Sequence, residues 1–214
     1  MSRIVEFSEA GGPEVLKFRN VDAPQAGPGQ VRIRVKAIGL NRADSMWRRN
    51  QYIEPVNFPA RLGYEAAGTV DSVGKDVTTV AVGDEVNTVP SFSMNQYGMY
   101  GEAVLAPIHA VVKQPKGLTS VEAASIWMMF VTAYGPLIGD AKITPQDAVV
   151  IPGASSSVGL AAIQIANSVG AKSIALTRTN TKRAQLIAAG AKYVIATEEE
   201  DLVKEIDKIT DTLR

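Results

Sequence analysis

From Ala148 onward, strand-like and helix-like segments alternate without a break, and that alternation leaves very few possible folds. Ala148-Val149-Val150-Ile151 is a continuous apolar run of strand length. Residues 158–169 form an alanine-rich stretch with helical spacing, closed by Gly170. Ser173-Ile174-Ala175-Leu176 reads as a second strand, 181–189 as a second helix stopped by Gly190, and Tyr193-Val194-Ile195 as a third strand. Strands joined through helices in this way pair in parallel, so the expectation is the beginning of a doubly wound sheet. A last helix is expected to start with Thr197 as N-cap and Glu200 closing a capping box. Leu202, Val203, Ile206 and Ile209 would form its apolar face.

The first half punctuates differently. Val31-Arg32-Ile33-Arg34-Val35-Lys36-Ala37 alternates apolar and charged residues, the mark of a strand with one buried face. Pro24 to Gln30 reads as turn or loop, and short apolar runs recur at 66–73, 77–82, 86–89 and 103–112. Many short strands between glycine and proline turns predict a small barrel or sandwich. Near residue 118 the period changes: helices are expected from Ser120 and over 128–138. The expected division is a β domain over 1–120 and a partial α/β domain over 121–214.

Several functions are excluded or disfavoured by what the chain lacks. It has no cysteine and one histidine, His109, so thiol catalysis, disulfides and thiolate metal sites are impossible. His109 lies in a strand-like segment, Ala106 to Val112, and reads as a structural or surface residue. Zero net charge carries no nucleic-acid footprint and no attraction to an anionic membrane. The start Met1-Ser2-Arg3-Ile4-Val5-Glu6 shows no apolar signal segment, and no stretch reads as long and apolar enough to span a bilayer. A cytoplasmic location is expected.

The first parallel strand runs directly into Gly153-Ala154-Ser155-Ser156-Ser157-Val158-Gly159, and Val158 begins the following helix. A dinucleotide fold places its pyrophosphate here, against free N–H groups and the positive end of the helix. Gly153 suits the tight turn and Gly159 a close approach, while Ser156 stands where the middle glycine of the usual fingerprint would be. The three serine hydroxyls offer donors to phosphate. NAD sites carry a carboxylate about 20 residues further on, at the end of the second strand. Between Gly153 and Thr197 this chain has no Asp or Glu; Thr177, Arg178, Thr179, Lys182 and Arg183 stand there instead, as suits a 2′-phosphate. The expected cofactor is NADPH.

These residues resemble a known family. Ala148 to Ala166 is similar to the nucleotide loop of zinc-free quinone oxidoreductases, a branch of the medium-chain dehydrogenase/reductase superfamily. Trp127 to Ile138, with Thr132-Ala133-Tyr134, resembles the helix before that loop, which adds Thr132 to the cofactor-binding residues. Gly39-Leu40-Asn41-Arg42-Ala43-Asp44 and Gly63-Tyr64-Glu65-Ala66-Ala67-Gly68 resemble the two signatures of the catalytic domain. The resemblance implies a GroES-like β-barrel followed by the first half of a Rossmann domain, strands 1 to 3.

Zinc relatives in the superfamily carry a metal-binding Cys and His in those signatures, where Asn41 and Tyr64 stand here. The resemblance therefore implies no metal site and no zinc. It implies hydride delivery from NADPH to a quinone or an α,β-unsaturated carbonyl, acceptors that delocalise the incoming charge. Asn41, Asp44 and Tyr52 match the active-site positions. Asn41 also reads as the N-cap of a helix over 42–49 with Asp44 at N3, and Tyr52 also reads as a packing residue. Glu65 reads as structural. An enoyl thioester reductase and a non-catalytic NADPH-binding protein remain as alternatives. The family further implies a homodimer, and a chain continuing a hundred residues or more past Arg214; the 214-residue chain alone is then expected to turn over weakly or not at all and to self-associate, with its first parallel strand at an open edge.

Overall fold

The computed structural model describes residues 1–211; Thr212–Arg214 lie outside them. The chain forms two compact units, Met1–Met128 and Met129–Arg214.

In the first unit, β1 (Ser2–Glu6) and β2 (Lys17–Val21) pair antiparallel. A five-stranded antiparallel sheet follows: β3 (Gln30–Gly39), β4 (Glu65–Val73), β5 (Glu85–Thr88), β6 (Ala103–Pro107) and β7 (Val111–Lys113), in the order β6-β3-β4-β5-β7. The alternation in β3 is what the sequence demands: Val31 and Ile33 are fully buried, and they pack with Val70, Val86, Val104 and Ala106. The helix α1 (Arg42–Arg48) leaves the end of β3 with Asn41 as its N-cap, as expected. Trp47 on α1 fills a second core with Phe7, Leu62, Tyr64 and Met94, and its indole N–H donates to the Arg61 carbonyl at 2.9 Å.

Two expectations for this unit need correction. Residues 77–82 form no strand. Val80 is buried and Val77 packs on the core, but the chain turns at Val82-Gly83, so the apolar residues plug the sheet without joining it. The run 103–112 is broken by a 3-10 turn at Ile108–Ala110, so His109 sits on a turn and not in a strand. Its ring is exposed and contacts the Ser91 carbonyl at 3.1 Å.

A short helix, α2 (Ser120–Ala123), is capped by Thr119 and Glu122 and lays Ala123 and Ala124 against Ala67. The next helix, α3 (Trp127–Tyr134), ends in a π-helical turn over Gly135–Asp140. Here the membrane expectation is also corrected, since Ser120–Asp140 is 21 residues long, contains an 18-residue window of mean hydropathy 1.3, and passes by length and composition. The helix is nevertheless interrupted at residues 124–126, and Met129, Phe130, Ala133, Leu137 and Ile138 pack into the core of the second unit.

That core lies between a parallel sheet and its helices. The strands are β8 (Ala148–Ile151), β9 (Lys172–Thr177) and β10 (Tyr193–Ala196), ordered β10-β9-β8. The connecting helices are α4 (Ser157–Ser168) and α5 (Arg183–Ala188). β8 is an edge of this sheet, with Val150 40% exposed. The last helix, α6 (Leu202–Asp211), starts later than expected. Asp201 caps it by accepting from the Lys204 N–H at 3.1 Å. Glu200 does not close a capping box with Thr197; it accepts from the Ala196 N–H and from Arg183, because the chain still turns at 197–200 to leave the sheet. Val203 is exposed, so it does not share the buried face with Leu202, Ile206 and Ile209.

Candidate active site

The loop between β8 and α4 adopts the geometry that anion binding needs. Gly153 takes φ +58°, a left-handed conformation that a side chain would strain. A Cβ on Gly159 would lie 2.6 Å from the Ala154 Cα, so the first turn of α4 rests directly on the loop backbone. Ser156, in the place of the usual middle glycine, is the N-cap of α4 and accepts from the Gly159 N–H at 3.1 Å. Its oxygen is thus committed to the helix, while its proton remains available to a ligand.

Around this loop the predicted cofactor residues form two groups. Gly153, Ser155, Thr177, Arg178 and Lys182 line a cleft of about 470 Å³ at the carboxyl ends of β8 and β9, together with Thr179, Thr181 and Thr197. Ser156, Val158 and Gly159 line a neighbouring groove of about 250 Å³ with Thr132 and the side of β8. Pro152 borders both. Ser157 is exposed on the first turn of α4 and lines neither.

The cations near the first cleft are not equivalent. The Lys182 ammonium donates to Ser155 Oγ at 3.1 Å. Among the described residues neither Lys182 nor Arg178 forms an ion pair, and no carboxylate lines the cleft. Arg183 is different: it pairs with Glu200, donates to Asn180, and lies outside the cleft. Glu199 accepts from the Asn180 N–H at 3.2 Å and holds the loop that carries Lys182. Such a cleft fits a phosphate monoester, because the two free cations meet an anion without first losing an acidic partner.

The first unit gathers its own cluster. Asn41 and Tyr52 are half-buried, whereas Asp44 is only 4% exposed. Asp44 Oδ2 accepts from the Asn41 N–H at 2.8 Å and from the Tyr100 hydroxyl at 3.1 Å, and its Oδ1 is buried without a partner among the described residues. Burial pushes its carboxyl up to about 6, against the two hydrogen bonds, with the Glu65 charge adding to the rise. The Asn41 amide donates to Glu65 Oε2 at 2.7 Å, and Glu65 Oε1 accepts from the Met128 N–H at 2.8 Å in the first turn of α3. Glu65 therefore does hold structure: it orients Asn41 and caps a helix N-terminus, where the dipole favours its charge. Tyr64, 5% exposed, sets its ring 6.2 Å from Tyr52 and 5.5 Å from Phe92. Burial pushes its phenol well above the ordinary range, aided by Tyr52 and by the Glu54 and Asp44 charges.

Comparison with known proteins finds matches for both units of the chain. Residues 27–116 match the family described as alcohol dehydrogenase GroES-like domain, and residues 157–213 match that described as zinc-binding dehydrogenase. Human quinone oxidoreductase is 34% identical over 97% of this chain. A crystal structure of Pseudomonas syringae quinone oxidoreductase superposes at TM-score 0.88 with 33% identity over 99% of the chain. The Escherichia coli quinone oxidoreductase complexed with NADPH superposes at 0.84 with 31% identity, also over 99%. The chain belongs to the quinone oxidoreductase-like branch of the medium-chain dehydrogenase/reductase superfamily. It spans 62% of the length of the human relative and 63% of each of the two structures.

Within this branch the chain keeps the GroES-like fold and the opening half of the Rossmann-type sheet. Among the described residues, no three His, Asp or Glu side chains gather where they could hold a metal ion. Two contributors escaped sequence reasoning. Tyr100 reaches Asp44 across 56 positions, with no periodic signal to announce it. Tyr64 was visible as a residue in a metal-ligand position, yet only packing reveals that its ring abuts Tyr52.

Proposed function

We propose that this chain carries the NADPH-binding loop and the acceptor-facing residues of a reductase that passes hydride to a quinone or an α,β-unsaturated carbonyl without zinc. The observation that supports this best is the pair Arg178 and Lys182, free of acidic partners among the described residues, in a cleft where those residues bring hydroxyls and no carboxylate. In this reading Arg178 and Lys182 hold the 2′-phosphate, and the loop from Ser155 to Gly159 receives the pyrophosphate at the N-terminus of α4. The groove beside β8, with Thr132, then takes the chain of the cofactor toward its nicotinamide end. Bound NADPH supplies the hydride. Asn41, fixed by Glu65 and by Asp44, orients the acceptor, and Tyr52 offers its hydroxyl proton to the reduced acceptor. Asp44 is sealed from solvent, so it acts through Asn41 and Tyr100.

The test is steady-state oxidation of NADPH by the complete enzyme, with a quinone and with a short enoyl thioester, beside parallel binding titrations of NADPH and NADH. Turnover with the quinone and a clear preference for NADPH support the reading. Equal affinity for the two cofactors overturns the assignment of Arg178 and Lys182. NADPH binding without turnover on either acceptor overturns the reductase and leaves a cofactor-binding protein. Faster turnover with the thioester makes the acceptor an enoyl thioester. Stoichiometric zinc in the purified enzyme, lost together with activity on chelation, overturns the zinc-free assignment.

A further inference from the structure

Tyr64 takes no direct part in the proposed proton delivery, yet its ring packs beside that of Tyr52, the residue that would deliver the proton. Its ring is tilted 57° to that of Tyr52 at a centroid distance of 6.2 Å. Phe92 also lies 5.5 Å from the Tyr64 ring and leads on to Tyr97 at 5.8 Å, so the phenol cannot swing away from Tyr52 without disturbing this chain of packed rings. The backbone is pinned as well, because the Tyr64 carbonyl accepts from the Thr88 hydroxyl at 2.8 Å, and Thr88 Oγ1 in turn accepts from the Ala66 N–H at 2.8 Å. The loop carrying Tyr52 is tied down by Glu54, which accepts from Ser93 Oγ at 2.7 Å.

We infer that Tyr64 is a positioning residue for Tyr52, its buried phenol donating a hydrogen bond to the Tyr52 oxygen so that the Tyr52 proton points outward, toward the acceptor. The direction of donation follows from the surroundings. Tyr64 is sealed among rings with the Glu54 and Asp44 carboxylates nearby, an environment hostile to a second anion, so it keeps its own proton. Tyr52 is half-buried and can exchange with water. When the acceptor takes hydride, the Tyr52 O–H bond breaks, its proton forms the new bond on the acceptor, and the electron pair left on the Tyr52 oxygen receives the Tyr64 hydrogen bond. Water then returns a proton to Tyr52. This rests on the reductase reading and adds to it a residue whose side chain never meets the substrate.

The test uses Tyr64→Phe, which keeps the ring row and removes one oxygen, with Tyr52→Phe and the double variant, in the complete enzyme. Tyr64→Phe should lower kcat roughly tenfold, the size of one lost hydrogen bond to a developing charge, with the KM for NADPH unchanged. The double variant should be no slower than Tyr52→Phe alone, because Tyr64 then has no hydroxyl to orient. With 3-fluorotyrosine incorporated, the fluorine resonance of Tyr52 should move in Tyr64→Phe. Losses that multiply in the double variant, an unmoved Tyr52 resonance, or an unchanged kcat in Tyr64→Phe each overturn the inference while the parent enzyme still turns over. A parent enzyme that turns over NADPH with none of the acceptors overturns the reductase reading, and this inference with it. Should Tyr64→Phe fold poorly, Tyr64→Met keeps the bulk without the donor and carries the same expectations.

Discussion

The two candidate sites solve opposite electrostatic problems. In the first unit, Asp44 and Glu65 are almost sealed from solvent and have no cationic partner among the described residues; backbone N–H groups, one amide and one hydroxyl answer their charge. In the second unit, Arg178 and Lys182 are exposed and have no acidic partner among the described residues. Buried carboxylates held by neutral donors form a stiff frame, since moving any one group leaves another unsatisfied in a low dielectric. Exposed cations are solvated while they wait and exchange that water for the oxygens of an anion when one arrives. One region is built to hold geometry and the other to hold a ligand, so substitutions in the first should register mainly in stability and those in the second mainly in binding.

The largest effect that could break this contrast is expected at Glu65. Glu65→Ala strands the Asn41 amide and the Met128 N–H, and should cost about 4 kcal/mol of stability in denaturant unfolding. NADPH affinity of the folded fraction should be unchanged. A loss below about 1 kcal/mol would mean that water replaces the carboxylate, and that the frame is not stiff.

Next in size is the pH response of Asp44. Its folded value of about 6 lies above the ordinary carboxylate value, so between roughly pH 4 and 6 the folded chain binds more protons than the unfolded one. Stability from this group is therefore full below about pH 4 and lost as the pH rises through 6, by at most about 3 kcal/mol. Asp44→Asn keeps an acceptor for Asn41 and Tyr100 and should flatten that slope in unfolding curves taken across the interval. An unaltered slope would assign the titration to another group.

In the cleft, replacing both Arg178 and Lys182 by Ala should weaken NADPH binding by about 2 kcal/mol, roughly thirtyfold, and leave NADH binding and unfolding almost unchanged. Both side chains are exposed, which keeps the figure modest. The smallest effect sharpens the same point. Arg183→Ala breaks the pair with Glu200 and should cost about 1 kcal/mol of stability without altering the preference for NADPH. A fall in NADPH affinity there would place Arg183 among the phosphate ligands.

Legibility followed contact range. The cofactor loop is a strand, a turn and a helix in succession, and its residues meet because they are near in the chain: Ser156 caps a helix three residues on, and Gly153 must turn at once. Lys182 reaches Ser155 across 27 positions only because β8 and β9 are neighbours, which the alternating pattern already implied. The errors had the same origin. The apolar run at 77–82 carried a strand's composition without a partner strand, and Glu200 had the spacing of a capping box but found Arg183 and the Ala196 N–H closer to hand.

By itself the sequence determined the β-then-α/β order, the parallel pairing, the turn at Gly153, the N-cap at Asn41 and the absence of any thiolate metal site. Each of these depends on residue type and on spacing within a few turns, where backbone sterics and periodic burial act. Only the tertiary structure decided which cations were free, which carboxylates were buried, and that Tyr100 bonds to Asp44 and Tyr64 packs beside Tyr52. Charge pairing and desolvation depend on what surrounds a side chain in three dimensions, and across 56 positions of sequence the chain carries no local record of it.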